Sequence, residues 1–106
     1  MTKAEAAIVM AYTGVSMLRG KDLILYTSYV KAITGVSFTP AEIFILEGDD
    51  KRVRRQKRRI QKMIHDRSRG DFLNICQHLN YGYVFQKGRP TAARIIRSIY
   101  DDEGER

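Results

Sequence analysis

The sequence has little that marks a membrane protein or a secreted one. It contains one cysteine, Cys76, which excludes an internal disulfide and favours a reducing, cytoplasmic compartment. No apolar run approaches the roughly 18–20 residues that span a bilayer. The apolar stretch near the N-terminus is interrupted by Tyr12 and Thr13, so we interpret it as a helix and not as a signal peptide.

Motifs for catalysis or cofactor binding are also missing. His65 and His78 are the only histidines, and neither has the spacing of a zinc ligand. The chain contains no nucleophile elbow and no glycine-rich loop that could cradle a phosphate. Glu47, Asp49 and Asp50 cluster before a predicted helix, where capping explains them better than a metal site does. We therefore expect a non-enzymatic protein without a cofactor or metal, with a small nuclease as the minor alternative.

Positive charge is concentrated in one stretch, residues 51–62 (KRVRRQKRRIQK), which we call the basic segment. It holds eight of the nineteen Lys and Arg residues and none of the twelve Asp and Glu residues. The other 11 basic and 12 acidic residues nearly cancel, so the formal net charge of +7 is local. Because solvated helices usually mix both signs, this pattern favours contact with a polyanion. The main predicted phosphate contacts are Arg54, Arg55, Arg58 and Arg59, flanked by Lys51, Arg52, Lys57 and Lys62.

Apolar residues at helical spacing predict a mainly α protein, a compact single domain over residues 1–100 with a frayed polar tail at 101–106. A strand-like stretch predicts at most a small β-hairpin or wing near 81–89. The pattern predicts five to six helices, at about residues 3–13, 22–34, 40–47, 50–66 and 69–79, and from Pro90 onward.

Local signals predict where some of these helices begin. A hydroxyl residue followed three positions later by a carboxylate opens the first helix (Thr2, Glu5) and indicates a new helix near residue 69 (Ser68, Asp71). The predicted helix at 40–47 is apolar on nearly every side, so we expect it to be buried and to end at the following glycine.

The basic segment belongs to the predicted helix at 50–66. Its apolar residues Val53, Ile60, Met63 and Ile64 form a narrower stripe than ordinary core helices carry. One edge of this helix should therefore touch the domain while its basic face points to solvent. Like charges four positions apart repel by a few tenths of a kcal/mol per pair, a repulsion that a polyanion relieves.

A second candidate surface lies at residues 81–89, where aromatic and basic side chains alternate. Tyr83 and Phe85 could stack on bases or form a wing beside a duplex. The preferred interpretation is that these two rings face the core. Lys87 and Arg89 would then extend the positive surface.

Two stretches resemble a family of small phage and prophage proteins that has no established activity. The first is AAIVMAYTG at residues 6–14, followed by Lys21, Asp22 and Leu23. The second is RGDFLNIC at residues 69–76, which is similar to the family's Asp-Phe-Leu-x-x-Cys segment. The resemblance covers about half of the chain, does not include the basic segment and transfers no functional residue. It implies a phage context, in which small proteins bind host machinery or block host defence.

These observations support two hypotheses. In the first, a non-enzymatic binding protein presents the basic segment to the phosphate backbone of a nucleic acid, or to a nucleic-acid-bound complex, with little sequence preference. In the alternative, the chain is a phage-encoded inhibitor of a host protein, such as an anti-defence protein of the anti-CRISPR type or an inhibitor of a DNA-processing enzyme. Neither hypothesis involves a membrane or a small-molecule substrate.

Overall fold

The structure, a computed structural model, describes residues 2–15 and 18–79, with backbone alone for residues 78 and 79. This part of the chain is mainly helical, as predicted, and contains no strand. The predicted hairpin at 81–89, the helix from Pro90 and the polar tail lie outside the described residues. The elements are α1 (Lys3–Thr13), a 3-10 turn (Gly20–Asp22), α2 (Leu23–Thr34), α3 (Pro40–Ile43) and α4 (Lys51–Leu79).

The ends of α1 agree with the local signals in the sequence. At its N-terminus the Thr2 hydroxyl accepts a hydrogen bond from the Glu5 amide at 3.1 Å, and the Glu5 carboxylate accepts one from the Thr2 amide at 2.9 Å. This is the predicted capping box. At its C-terminus Gly14 has φ 73°, a left-handed conformation that glycine adopts without a Cβ clash.

The core forms where α4 crosses the other helices. α4 packs against α1, α2 and α3, and α1 also packs against α2. The largest fully buried apolar side chains come from all four helices: Val9, Met10, Val30, Ile43, Ile64 and Phe72. α1 is surrounded on several sides, since Ala6, Ala7 and Ala11 are buried together with its larger residues. Its small side chains allow the neighbouring helices to approach closely.

α4 is a single helix of 29 residues where the sequence predicts two, so the prediction of a new helix near residue 69 is wrong. Ser68 does not cap a helix: its side chain is fully buried, and its hydroxyl donates to the His65 carbonyl at 3.1 Å. Ile64, Ser68, Phe72 and Cys76 are spaced four apart and are all buried, which makes one continuous stripe. Burial of this stripe favours an unbroken helix over the local capping signal.

α3 is also shorter than predicted, and most of the expected burial is absent. The helix ends at Ile43, because Phe44 is extended with φ −91° and ψ 137°. Ile43 is buried, but Ile45 is 38% exposed and Leu46 is 50% exposed. The prediction of a buried helix to residue 47 is therefore wrong beyond Ile43. Where α3 ends, side chains of α4 donate hydrogen bonds to the carbonyl groups of Ile43 and Phe44.

Candidate nucleic-acid interface

Two aspartates fix the start of the basic segment. The Asp50 carboxylate accepts a hydrogen bond from the Val53 amide at 2.9 Å, which is the predicted N-cap of α4. Asp49 caps the preceding turn instead, accepting from the Leu46 amide at 2.8 Å. Among the described residues, no group of three or more His, Cys, Asp or Glu side chains is arranged to hold a metal ion.

Six cations of the basic segment point to solvent, as the narrow apolar stripe predicts. We call them the cationic face: Lys51, Arg52, Arg55, Arg58, Arg59 and Lys62. No hydrogen bond or ion pair joins any of these six side chains to another residue within 2–15 or 18–79. The three- and four-residue spacings put most of them on the side of α4 opposite Ile64. The face is thus a strip of positive charge that the described protein does not neutralise.

Lys57 is not part of the cationic face. The sequence predicts it to be a flanking phosphate contact, but its side chain is buried, with the residue only 6% exposed. Its ammonium lies 2.5 Å from the Asp49 carboxylate and donates to the Phe44 carbonyl at 2.9 Å. The hydrogen bond from Lys57, together with that from the Leu46 amide, holds the pKa of the Asp49 carboxyl below its usual range. Lys57 therefore holds the loop between α3 and α4 against α4.

Arg54, predicted to be a main phosphate contact, lies at the edge of the face. It is half-buried, and its Nη2 atom is 3.5 Å from the Glu47 carbonyl oxygen. Its Nε atom is buried without a hydrogen-bond partner in the described part of the chain. Since only part of its guanidinium is accessible, we place Arg54 outside the cationic face.

A row of polar side chains that the sequence analysis missed orients the basic segment. Lys57, Gln61 and His65 are spaced four apart, beside the buried stripe. Gln61 Nε2 donates to the Ile43 carbonyl at 2.7 Å, and His65 Nδ1 lies 2.6 Å from the Tyr12 carbonyl. Because a carbonyl only accepts, Nδ1 carries the proton in this contact. The signal in the sequence is the four-residue spacing of polar groups next to an apolar stripe.

The second candidate surface and Cys76 are the remaining residues that the sequence singles out. Lys87, Arg89 and the aromatic residues of the second candidate surface lie outside the described residues. Cys76 is buried, and burial raises the pKa of its thiol, which keeps it in the unreactive neutral form.

The helices of the described part include none with the length and apolar character needed to cross a bilayer.

Comparison of the chain with protein-family models, curated proteins and solved structures gives no match. The resemblance to phage proteins therefore stays an expectation from the sequence. A functional assignment rests on the charge and geometry of α4 and of the residues around it.

Proposed function

We propose that the chain is a non-enzymatic nucleic-acid-binding protein whose cationic face contacts the phosphate backbone. One observation carries the proposal: six exposed cations lie on one ordered helix, and none is paired with another described residue. Because no described carboxylate offsets the charge of these Lys and Arg side chains, that charge is available to an external partner. Phosphates release counterions when such side chains approach, which drives binding without reading sequence.

The dimensions of the basic segment suit a short length of backbone. Twelve helical residues extend for about 17 Å along the axis, which matches roughly five steps of one B-form strand at 3.4 Å per step. Four to six cations can therefore meet phosphates simultaneously. At about 0.7 to 0.9 per phosphate contact, the slope of log Kobs against log salt concentration should lie between roughly −3 and −5.

The test is fluorescence anisotropy with labelled single-stranded DNA, duplex DNA and RNA, over a salt series that starts at about 50 mM. The decisive variant is the double substitution Arg55→Gln and Arg59→Gln. We expect it to weaken binding and to make the slope shallower by about 1.4 to 1.8.

The matched control is Lys21→Gln with Lys31→Gln, which removes the same net charge from exposed positions outside α4. The control should leave the slope almost unchanged, because these residues do not belong to the cationic face. If the wild-type chain binds none of the three probes at the lowest salt, the proposal is wrong. Equal effects of the two double variants would also contradict it, since the charge would then act without regard to position.

A second candidate function, inhibition of a host nucleic-acid-processing protein, is favoured by a different observation. Five large apolar side chains are exposed on α2, just after it and in the loop before α4: Ile24 (64%), Leu25 (41%), Val36 (47%), Ile45 (38%) and Leu46 (50%). Contiguous exposed apolar surface often marks a protein-binding site, and Ile45 and Leu46 are adjacent in the chain. Co-purification from host lysate with and without nuclease distinguishes the two functions. A partner retained after nuclease treatment supports inhibition, and loss of every partner supports the first proposal.

A further inference from the structure

A cleft opens beside the cationic face, between the end of α1, the middle of α2, the residues after α3, and α4. Its volume is about 250 Å³. Tyr12, Tyr26 and Phe44 contribute aromatic rings to its walls, and Arg58 and Lys62 also line it. Those two cations belong to the cationic face as well, so the cleft and the charged strip are continuous.

The aromatic rings are held in place by contacts with one another. Tyr26 and Phe44 lie with their ring centroids 5.7 Å apart at an angle of 33°. Tyr12 stacks with His65 at 4.3 Å and with Phe72 at 4.2 Å. Tyr12 is already stacked on two rings and Tyr26 is 2% exposed, so the half-buried Phe44 is the ring on which a planar ligand such as a nucleobase can stack.

Tyr26 supplies an unpartnered polar group in this cleft. The residue is 2% exposed, and no hydrogen bond joins its hydroxyl to another residue within 2–15 or 18–79. Among the described residues only Arg54 Nε is a fully buried polar atom without a partner, so the Tyr26 hydroxyl is accessible from the cleft, where a ligand can bind it. Burial raises the pKa of Tyr26 to about 12, so near neutral pH the hydroxyl is protonated and can both donate and accept.

We infer that the cleft takes one unstacked base of a single-stranded nucleic acid whose phosphates lie along the cationic face. This rests on the proposed function and adds a substrate class to it. The volume of the cleft is below the roughly 300–1,000 Å³ of pockets that hold drug-sized ligands. A space of this size suits one ring system and excludes a base pair. Arg58 and Lys62 bind the phosphates next to the inserted base. The phosphates of a duplex can reach the same cations, but its paired bases cannot enter the cleft.

The test compares two single-stranded probes of equal length, oligothymidine and a strand of abasic residues, which has the same phosphates and no bases. Wild type should bind oligothymidine more tightly. Phe44→Leu removes an aromatic wall while keeping an apolar side chain, and should weaken oligothymidine binding about tenfold. Tyr26→Phe removes only the hydroxyl, and should weaken it about fivefold. Neither variant should alter binding to the abasic strand, whereas Arg55→Gln with Arg59→Gln should weaken both probes.

Each outcome of this comparison either supports or overturns the inference. Equal wild-type affinity for the two probes, or cleft variants that bind both probes like wild type, overturns the inference and leaves the proposed function standing. Cleft variants that weaken both probes equally also overturn it, because they then act through the fold. Failure of wild type to bind either probe overturns the inference, and it overturns the proposed function as well only if duplex DNA and RNA also fail to bind at the lowest salt. If Phe44→Leu does not fold, Tyr26→Phe decides the matter, since it keeps the ring and its packing.

Discussion

Residues 51–62 of α4 bury only one side chain, that of Lys57, whereas the following residues bury Ile64, Ser68, Phe72, Ile75 and Cys76. The two halves share one uninterrupted helix. Like charges four apart in the first half, such as Arg55 and Arg59, destabilise a helix by about 0.2–0.5 kcal/mol per pair. Burial in the second half offsets this repulsion many times over. The comparison shows that the charged half depends on the packed half for its order.

The packed half also has long-range polar contacts. The Tyr29 hydroxyl donates to the Asp71 carboxylate at 2.6 Å, and the Arg67 guanidinium donates to the Ile33 carbonyl at 3.0 Å. Burial, followed by the hydrogen bond to Asp71, raises the pKa of Tyr29. Both contacts attach α4 to α2. Because both contacts join one side of α4 to α2, they favour one orientation of α4 about its axis and therefore one direction for the cationic face.

The largest expected effect comes from breaking the packed half at Phe72. This ring is 1% exposed and stacks on Tyr12 at 4.2 Å. Phe72→Ala should lower the free energy of unfolding by about 3–5 kcal/mol, because it leaves a cavity between α4 and α1. Urea unfolding followed by circular dichroism measures the change. Asn74→Ala, at an exposed position in the same half, is the control. A loss below about 1 kcal/mol for Phe72→Ala would contradict the burial of Phe72 in the stripe.

A smaller effect separates Lys57 from the exposed cations. Lys57→Ala removes hydrogen bonds to Asp49 and Phe44, and should cost about 2 kcal/mol of stability because their charged and polar acceptors lose a partner. Arg58→Ala, one position away and exposed, should change stability by less than about 0.5 kcal/mol. The reverse ranking in thermal unfolding would mean that Lys57 belongs with the cationic face after all.

The same contact should make stability depend on pH through Asp49. Its folded pKa is lowered, first by Lys57, so the carboxylate contributes stability above its unfolded pKa of about 3.9 and loses it as the pH falls through the folded value. The difference in Tm between wild type and Asp49→Asn should be largest near neutral pH and should shrink below about pH 4. The exposed Asp66→Asn is the control. A difference for Asp49→Asn that stays constant with pH would rule out the ionised contact.

Local patterns in the sequence predict α1, α2 and the exposure of the basic segment, because capping residues and apolar spacing act within a few positions. They fail where the deciding contact is distant. Gln61 binds the carbonyl of Ile43, 18 positions earlier, and no local signal indicates that α3 ends there. Ser68 has the residue type and spacing of a cap, but its complete burial makes it part of a helix interior. The cleft depends on Tyr26 and Phe44 meeting, which apolar spacing alone does not predict.

The smallest effect tests whether the two halves form one helix. Gly70 lies inside α4, and a Cβ built there meets no atom within 4 Å. Gly70→Ala should therefore stabilise the chain by about 0.5–1 kcal/mol, because alanine loses less backbone entropy in a helix. Gly35→Ala is the matched control: its φ of 77° is left-handed, so the same substitution should destabilise by about 1–2 kcal/mol. If Gly70→Ala destabilised as much as Gly35→Ala, the helix would break between the halves, and packing at Phe72 would no longer orient the cationic face.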